Sequence, residues 1–478
     1  VVTINAYAGA VIDGNSASTN ITAFGAEISG SGGVGSASNA IETSVARLEG
    51  AGGSGGIYVV DSDDLTLGGV SATVGLTATS GDIDVRTDGG ALIVSENVTA
   101  SSGDISLTAA AGATQELDVA GQDLTVSNSA AIRTTTGDVI LEAADNITLQ
   151  SGSIISAAKG SVEVLGDQDG ELDPNTGAVI TVASQVVSQT GTTLSGGLSS
   201  DSYLFSYPTN GQNSGTITIS DEAGSNDTLA INGTSGADSF FLTNVSAGYQ
   251  VGLGTVAGQP VVIDGGIESV SLLSGSGGDT VSVEPTTLFP LTLDGGDPTA
   301  APGDTLTLNA LGQAYQVQGG NTVVFTGPEG SRSIQFFNFE SANLNGGGGG
   351  GDEGSTLSFD FNGRSVVNGE YVQSPTQAGF TGVTADTTYN ATRGYGWNVP
   401  LVAVTGGSST SSIAALINDA HVYTTATSSD LPTFRANVPN GPTTVNVVIG
   451  HPTLAMDGIR LRNADNGDFI VENLATEA

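Results

Sequence analysis

Residues 81–85 read GDIDV, and the phrase returns as GDISL at 103–107, GDVIL at 137–141 and GSVEV at 160–164. Each copy places a polar turn before a short strand with alternating apolar side chains. Related strands without the leading glycine, such as LTL at 65–67, lie between the copies. Because turns recur at this density, no room is left for helices between them. The first part of the chain is therefore predicted to consist of short β-strands.

The spacing of these turns, roughly 20 residues, is typical of a solenoid, and here it predicts a parallel β-helix whose rungs stack at about 4.8 Å. Each rung buries its apolar side chains only against the neighbouring rungs. Alternation along the strands predicts an interior lined by Ile83, Val85, Ile105, Leu107, Val139 and Leu141. The residues between them, Asp84, Ser106 and Ile140, then point outward, and the apolar Ile140 leaves the register open at its rung. We predict no helix longer than two turns over residues 1–190.

Several stretches of the first 190 residues are also similar in sequence to a known family. They read NAIETSVARL at 39–48, GGIYVV at 55–60, DLTLGGV at 64–70 and TGDV at 136–139. This part of the chain, about residues 1–190, resembles the filamentous-haemagglutinin type repeats of giant bacterial surface proteins. The resemblance implies a secreted filament located outside the cell or at its surface, in association with the outer membrane. It implies no particular ligand.

The spacing of strands and turns changes three times along the chain, and these changes predict the domain boundaries. The β-helical domain is expected to span residues 1–200. An all-β unit with longer Gly- and Asp-containing loops follows at 201–345, either as a continued solenoid or as a sandwich. A glycine-rich linker is expected at 346–355 because six consecutive glycines break every periodicity. Residues 356–478 form a separate domain, which contains Trp397, the one tryptophan of the chain.

The last domain carries a second resemblance. It reads LSFDFNG at 357–363, RGYGW at 393–397, FRANVPNG at 434–441 and VNVVIG at 445–450. These phrases resemble the galactose-binding-like jelly-roll modules of bacterial carbohydrate-active and surface proteins. The chain departs from that pattern because Pro and Thr follow the Pro-Asn-Gly turn where an aromatic residue is usual. We expect the jelly roll to be incomplete as given, because its expected last strands do not follow.

Arg393, Tyr395 and Trp397 are the candidate carbohydrate-binding residues of this module. Aromatic faces stack on sugar rings, and an arginine donates hydrogen bonds to sugar hydroxyls. The alternative is that Tyr395 and Trp397 anchor the core of the jelly roll, which is the common location of large aromatic side chains.

Turns rich in glycine and aspartate within residues 201–345 resemble degenerate calcium-binding repeats. They read GTSGAD at 233–238, GSGGD at 275–279, DGGD at 294–297 and GD at 303–304. Calcium prefers oxygen ligands, and the candidate ligands are the carboxylates of Asp238, Asp279, Asp294, Asp297 and Asp304. The turns lie farther apart than the nine residues of an intact repeat. The alternative is therefore ordinary turns between strands that aspartate side chains stabilise.

The charge of the chain excludes one class of partner. It has 49 acidic and 10 basic residues and a net charge of −39, whereas nucleic-acid binding requires clustered Lys and Arg. There is no cysteine. No run of about 18 apolar residues occurs, so a transmembrane helix is not expected. The chain opens Val1-Val2-Thr3 without a leader, and we expect it to be an internal fragment.

The sequence lacks the catalytic residues that enzymes with a β-helical fold use. Lyases of this fold use a Lys or Arg to abstract a proton, and hydrolases use clustered carboxylates near a His. The predicted β-helix offers only scattered cations, and both histidines lie beyond the linker. These cations are Arg47, Arg86, Arg133 and Lys159. We therefore expect no catalytic residues in this chain.

Two functions remain open, with the enzyme as a disfavoured third. The first is a non-catalytic piece of a large secreted bacterial surface protein that acts as an adhesin or extracellular scaffold on cell-surface or matrix polysaccharide. The second is the carbohydrate-binding accessory region of a polysaccharide-degrading enzyme whose catalytic domain lies outside this chain.

Overall fold

The structure is a computed structural model, and it describes most of the first 345 residues. The continuous described ranges are 1–72, 74–110, 121–168, 177–208, 213–221, 224–254, 260–297 and 303–345. Beyond residue 345 it describes residues 387–388 and the strands from β38 onward that are given below. The chain divides into two compact units, Val1–Tyr315 with Asn321–Gly348, and Gln316–Gly320 with Gly349–Ala478.

The first unit begins with 24 short strands. They are β1 (Val2–Ala6), β2 (Ala10–Val11), β3 (Ile21–Ala23), β4 (Ala26–Gly30), β5 (Gly33–Val34), β6 (Ile41–Val45), β7 (Arg47–Ala51), β8 (Ile57–Asp61), β9 (Leu65–Leu67), β10 (Leu76–Ala78), β11 (Ile83–Thr87), β12 (Leu92–Val94), β13 (Val98–Ala100), β14 (Ile105–Ala109), β15 (Leu124–Val126), β16 (Ala131–Thr134), β17 (Val139–Ala143), β18 (Ile147–Leu149), β19 (Ile154–Ala157), β20 (Ser161–Leu165), β21 (Val179–Val182), β22 (Gln185–Ser188), β23 (Gly191–Ser195) and β24 (Ser202–Ser206).

These strands repeat in threes. From β7 to β21 each strand pairs in parallel with the third strand after it, so β10, β11 and β12 form one rung and β13, β14 and β15 the next. The described residues contain no helix. The predicted all-β class is therefore confirmed, and the parallel stacking is consistent with the predicted β-helix.

The interior of the rungs follows the alternation of the sequence. All six predicted interior residues, from Ile83 to Leu141, are fully buried. Ile83 is aligned with Ile105, which is aligned with Val139, so identical positions stack along the sheet. Ile140 points outward as predicted, is half-buried, and is aligned with Ser106 and Glu163. Its register is thus that of its neighbours.

Thirteen further strands follow up to residue 345, all in the first unit except for the last three residues of β34. They are β25 (Ile217–Ser220), β26 (Thr228–Asn232), β27 (Ser239–Val245), β28 (Gly248–Leu253), β29 (Val261–Gly265), β30 (Ser269–Leu273), β31 (Thr280–Val283), β32 (Leu291–Asp294), β33 (Thr305–Asn309), β34 (Tyr315–Gln318), β35 (Thr322–Phe325), β36 (Ile334–Phe337) and β37 (Ser341–Asn345).

Residues 201–345 extend the sheets of the preceding rungs. Strand β24 pairs in parallel with β21, and β25 pairs with β23. Of the two arrangements left open by the sequence, the continued solenoid matches this stacking. An antiparallel insertion, β27–β28–β29, interrupts the parallel order.

Aromatic side chains fill the interior of this second part. Tyr203 and Phe205 are buried on β24, and Phe205 meets Tyr207 edge to face with ring centroids 5.1 Å apart. Tyr249 and Phe289 form a similar pair at 5.6 Å. Edge-to-face pairs add to the stabilisation from burial alone. The rungs here therefore enclose larger side chains than the rungs of the first 200 residues.

The described strands of the second unit form small two-stranded sheets. They are β38 (Phe359–Phe361), β39 (Arg364–Val367), β40 (Glu370–Gln373), β41 (Thr381–Val383), β42 (Tyr395–Trp397), β43 (Val402–Thr405), β44 (Asp419–Val422), β45 (Phe434–Ala436), β46 (Met456–Arg462) and β47 (Phe469–Thr476). The other residues of the predicted jelly roll lie outside the described residues. In the part of the chain that is described, no helix is long and apolar enough to cross a bilayer.

Candidate functional site

Three of the predicted calcium ligands stand in one column with a glutamate. The backbone N–H of Asp238 donates to Oδ1 of Asp279 at 2.7 Å, and the N–H of Asp279 donates to Oδ1 of Asp304 at 2.7 Å. The N–H of Asp304 donates to Oε2 of Glu340 at 2.6 Å. Each acid immediately precedes a strand, and the carboxylates of Asp279, Asp304 and Glu340 each satisfy the N–H group of the acid in the rung before. The Asp238 carboxylate instead accepts from Thr234 in its own turn. We call these four residues the Asp279 column.

The other two predicted ligands lie outside this column. Oδ1 of Asp294 accepts hydrogen bonds from the N–H of Gly296 at 3.0 Å and from the side chain of Asn338 at 2.8 Å. Asp297 is joined to Ser276 by an isolated parallel bridge. Asp294 therefore stabilises its own turn, as the alternative interpretation of these motifs expects. The assignment of calcium to the five carboxylates stays a prediction.

A second column of the same kind was not predicted. The N–H of Ala178 donates to Oδ1 of Asp201 at 2.6 Å, and the N–H of Asp201 donates to Oδ1 of Asp227 at 2.7 Å. The N–H of Asp227 donates to Oε2 of Glu268 at 2.6 Å. We call Asp201, Asp227 and Glu268 the Asp201 column. The signal in the sequence is an acid directly before each of the strands β24, β26 and β30.

Both columns leave carboxylate oxygens without a partner. Oδ2 of Asp201, Asp227, Asp279 and Asp304 is buried, and no hydrogen bond to it occurs among the described residues. A buried acceptor without a partner costs about 1–3 kcal/mol, and more when it is charged. These four oxygens therefore favour either a bound proton or a bound cation.

Burial changes the acidity of these groups. It raises the pKa of the Asp227, Asp279 and Asp304 carboxyls. Burial first, and then the neighbouring Asp221 carboxylate, raise the pKa of Asp201 from its ordinary value of 3.8 to about 8. Both causes disfavour the charged form of a carboxyl. Both causes therefore favour the protonated form of Asp201 when no cation is nearby.

Asp221 brings a third carboxylate to the Asp201 column. One oxygen each of Asp201, Asp221 and Asp227 lies within 4.8 Å of the other two. The hydroxyl of Tyr203 donates to Oδ2 of Asp221 at 2.8 Å and accepts from the N–H of Gly196 at 2.6 Å, which fixes the position of Asp221. Among the described residues, no other group of three His, Cys, Asp or Glu side chains converges in this way.

Two of the three predicted carbohydrate-binding residues lie on β42. Tyr395 and Trp397 are half-buried, and because they are two residues apart on a strand, they share one of its faces. Strand β42 pairs antiparallel with β45, which aligns Trp397 with Phe434. The N–H of Trp397 also donates to the carbonyl of Thr387 at 2.7 Å. Arg393 lies outside the described residues.

One comparison with known proteins finds a similarity for this module. Residues 368–459 match a family model described as Beta-agarase/YXIM esterase-like, galactose-binding domain-like. A comparison with curated proteins finds no match, and a comparison with solved structures finds none either. The described rungs are thus solenoid-like, and residues 368–459 are similar to a galactose-binding-like domain. The match does not extend to residues 1–190, so the haemagglutinin-type resemblance stays a prediction.

Proposed function

We propose that this chain is a non-catalytic part of a secreted bacterial surface protein, in which a β-solenoid acts as an adhesive or matrix scaffold for a carbohydrate-binding module. The observation that carries the proposal is the match of residues 368–459 to a galactose-binding-like domain in the same chain as a stack of parallel rungs. Repetition of rungs extends a scaffold without new folding units. The partner is a polysaccharide of the cell surface or matrix.

Composition supports a location outside the cell. A net charge of −39 keeps a protein soluble by self-repulsion, and the absence of cysteine makes the fold independent of redox conditions. The resemblance of residues 1–190 to haemagglutinin-type repeats agrees with export to the cell surface.

A second candidate function comes from the name of the matched family. That name includes a beta-agarase, which is an enzyme that acts on a polysaccharide. The chain would then be the carbohydrate-binding accessory region of such an enzyme, with the catalytic domain elsewhere in the parent protein. The parent sequence separates the two candidates, since further repeats favour the scaffold and a neighbouring catalytic domain favours the enzyme.

Affinity electrophoresis of the full chain tests the carbohydrate-binding role. Native gels are cast with and without a soluble polysaccharide, and galactans such as agarose are the first to try because of the matched family. We expect retarded migration in at least one galactan gel. Trp397→Ala should abolish the retardation and Trp397→Phe should keep part of it, because a phenyl ring still stacks on a sugar. Tyr7→Ala is the matched control, since Tyr7 is an aromatic residue of the first unit and 86% exposed. Unchanged migration of the natural chain across a broad polysaccharide panel would remove the proposal.

We also propose that calcium stabilises the Asp279 column. The unpartnered Oδ2 atoms of Asp279 and Asp304 support this, because each is a buried oxygen that a cation can satisfy. Thermal unfolding in chelator and in millimolar calcium is the test. The calcium-induced rise in the midpoint should shrink in Asp279→Asn, which keeps the Oδ1 acceptor for the N–H of Asp238. An equal rise in both proteins speaks against this column.

A further inference from the structure

The cluster of Asp201, Asp221 and Asp227 concentrates negative charge where water cannot screen it. Asp201 is 1% exposed, Asp227 is fully buried, and Oδ1 of Asp221 is also buried. The converging oxygens lie within 4.8 Å of one another. Three like charges at this distance repel strongly in a medium of low dielectric constant. Such an arrangement persists only when protons or a cation neutralise it.

The orientation of two of these carboxylates is fixed by the backbone. Oδ1 of Asp201 accepts from the N–H of Ala178, and Oδ1 of Asp227 accepts from the N–H of Asp201. These bonds explain why an acid precedes each strand, but they use one oxygen of each side chain. The second oxygens, Oδ2 of Asp201 and Oδ2 of Asp227, are held in the interior with no partner among the described residues.

Two glycines leave space for these second oxygens. A Cβ atom on Gly196 would overlap the Asp201 carboxyl, and one on Gly224 would overlap both Asp227 carboxylate oxygens. Neither glycine has a left-handed backbone, so its conformation would accept any residue. The carboxylates exclude a side chain at both positions, and at Gly224 the backbone carbonyl of Ser199 does so as well. Glycine at these two positions therefore leaves room for the carboxylates of the cluster.

We propose that Asp201, Asp221 and Asp227 bind one calcium ion. The donor atoms are all oxygens of hard ligands, which favours Ca²⁺, Mg²⁺ or Mn²⁺ over zinc or copper. Burial favours Ca²⁺ over Mg²⁺, because Mg²⁺ retains several of its waters when bound. Tyr203 is a positioning residue that holds Asp221 through its hydroxyl. This site is separate from the five carboxylates that the glycine-aspartate motifs single out.

Calcium titration of the chelator-treated full chain tests the site directly. We expect the natural chain to bind one more Ca²⁺ than Asp221→Asn, or to bind that ion at least ~10-fold more tightly. Asp264→Asn is the matched control, because it removes an equal charge from an exposed position and should bind as the natural chain does. Equal stoichiometry and affinity in Asp221→Asn and the natural chain would overturn the site, and so would a natural chain that binds no Ca²⁺.

Terbium luminescence gives a second measurement that depends on position. Tb³⁺ replaces Ca²⁺ in oxygen sites, and a tyrosine beside the ion sensitises its emission. Excitation of tyrosine should give strong Tb³⁺ emission in the natural chain, and Ca²⁺ but not equal Mg²⁺ should quench it. Tyr203→Phe should lose the part of this emission that Asp221→Asn also loses, whereas Tyr58→Phe, a control from an earlier rung, should keep it. Emission as strong in Tyr203→Phe as in the natural chain would mean that no ion lies beside Tyr203.

A cradle-filling variant covers the case in which Asp221→Asn does not fold. Gly224→Ala adds one methyl group against Asp227 and changes no charge. We expect calcium affinity to fall at least ~10-fold with an unchanged far-ultraviolet circular dichroism spectrum. A folded Gly224→Ala chain with unaltered affinity would contradict the assignment.

Discussion

The fold favours the protonated form of the Asp201 carboxyl, because this group lies among other acids and away from water. Its pKa is raised to about 8. The pKa values of Asp227, Asp279 and Asp304 are raised as well, in each case chiefly by burial. In the unfolded chain these groups titrate near the ordinary aspartate value. Folding therefore takes up protons in the window between about pH 4 and pH 8.

This uptake predicts an inverted pH dependence for the calcium-free protein. The folded chain binds more protons than the unfolded chain in that window, so the free energy of unfolding falls as the pH rises. In chelator, we expect the midpoint of thermal unfolding to be at least ~4 °C higher at pH 5 than at pH 8, since 1 kcal/mol corresponds to about 2–4 °C in larger domains. Scanning calorimetry at both pH values measures it. Asp201→Asn, which stays neutral, should show a smaller difference, and a midpoint that rises toward pH 8 would contradict the raised pKa values.

A buried leucine of the regular rungs predicts the cost of a cavity. Leu107 is fully buried and is aligned with Val85 on one side and Leu141 on the other. Because close-packed rungs cannot collapse onto the gap, Leu107→Ala should lower the free energy of unfolding by about 2–5 kcal/mol. Ser106→Ala is the matched control, since Ser106 is the outward neighbour on the same strand. Urea unfolding compares the two. A loss below about 1 kcal/mol in Leu107→Ala would show that this interior is not tightly packed.

The turns between strands are held by their own ladder of carboxylates. The N–H of Asp104 donates to Oδ1 of Asp82 at 3.0 Å, and the N–H of Asp138 donates to Oδ1 of Asp104 at 2.9 Å. In this ladder each carboxylate serves the following rung, whereas the Asp279 and Asp201 columns serve the preceding one. The repeated glycines permit the stacking, because a Cβ on Gly103 would overlap the backbone of Gly81. The Gly-Asp phrase is thus required by contacts between turns of successive rungs.

Asp138, the last aspartate of this ladder, allows the hydrogen-bond acceptor and the charge to be tested separately. Oδ1 of Asp138 accepts from both the N–H and the hydroxyl of Ser161, at 2.7 and 2.9 Å. Asp138→Ala leaves both donors without this acceptor and should destabilise the solenoid by about 1–3 kcal/mol. Asp138→Asn keeps an oxygen at the same place and should lose less than half of that. Chemical denaturation monitored by circular dichroism distinguishes them. Equal losses in the two variants would mean that the charge, not the acceptor, matters.

Periodicity predicted the strands well because it is a local property. Alternation over five residues identified Ile83 and Val85 as interior positions, and the rungs repeat that choice wherever the turn phrase recurs. The Asp201 cluster had no such local signature, because Asp201 and Asp227 meet only when rungs stack and Asp221 comes from a different strand connection. The aspartates of the glycine-aspartate motifs instead make two different kinds of hydrogen bond in the structure. Asp279 belongs to a column, whereas Asp294 bonds within its own turn, and both share one sequence pattern.

Charge dominates the molecule as a whole. The chain has 49 acidic and 10 basic residues. In the described part of the chain there is one ion pair, between Arg86 and Asp88 at 3.5 Å, and both side chains are more than half exposed. An exposed pair of this kind contributes about 0–1 kcal/mol. Attraction between opposite charges therefore stabilises these rungs very little, while repulsion among carboxylates acts throughout.

Salt should consequently stabilise this protein. Raising the ionic strength from about 0.01 M to 0.1 M shortens the screening length from about 30 Å to 10 Å, which weakens repulsion between distant acids more than it weakens the single exposed pair. We expect the midpoint of thermal unfolding in chelator at pH 7 to rise steadily with NaCl. Choline chloride at equal ionic strength should give the same rise, because screening does not depend on which monovalent cation is present. At pH 4 many surface carboxylates are protonated and the rise should shrink. A midpoint that falls with NaCl at pH 7 would mean that attractive ion pairs outweigh repulsion, and a rise with NaCl alone would indicate a sodium site instead of screening.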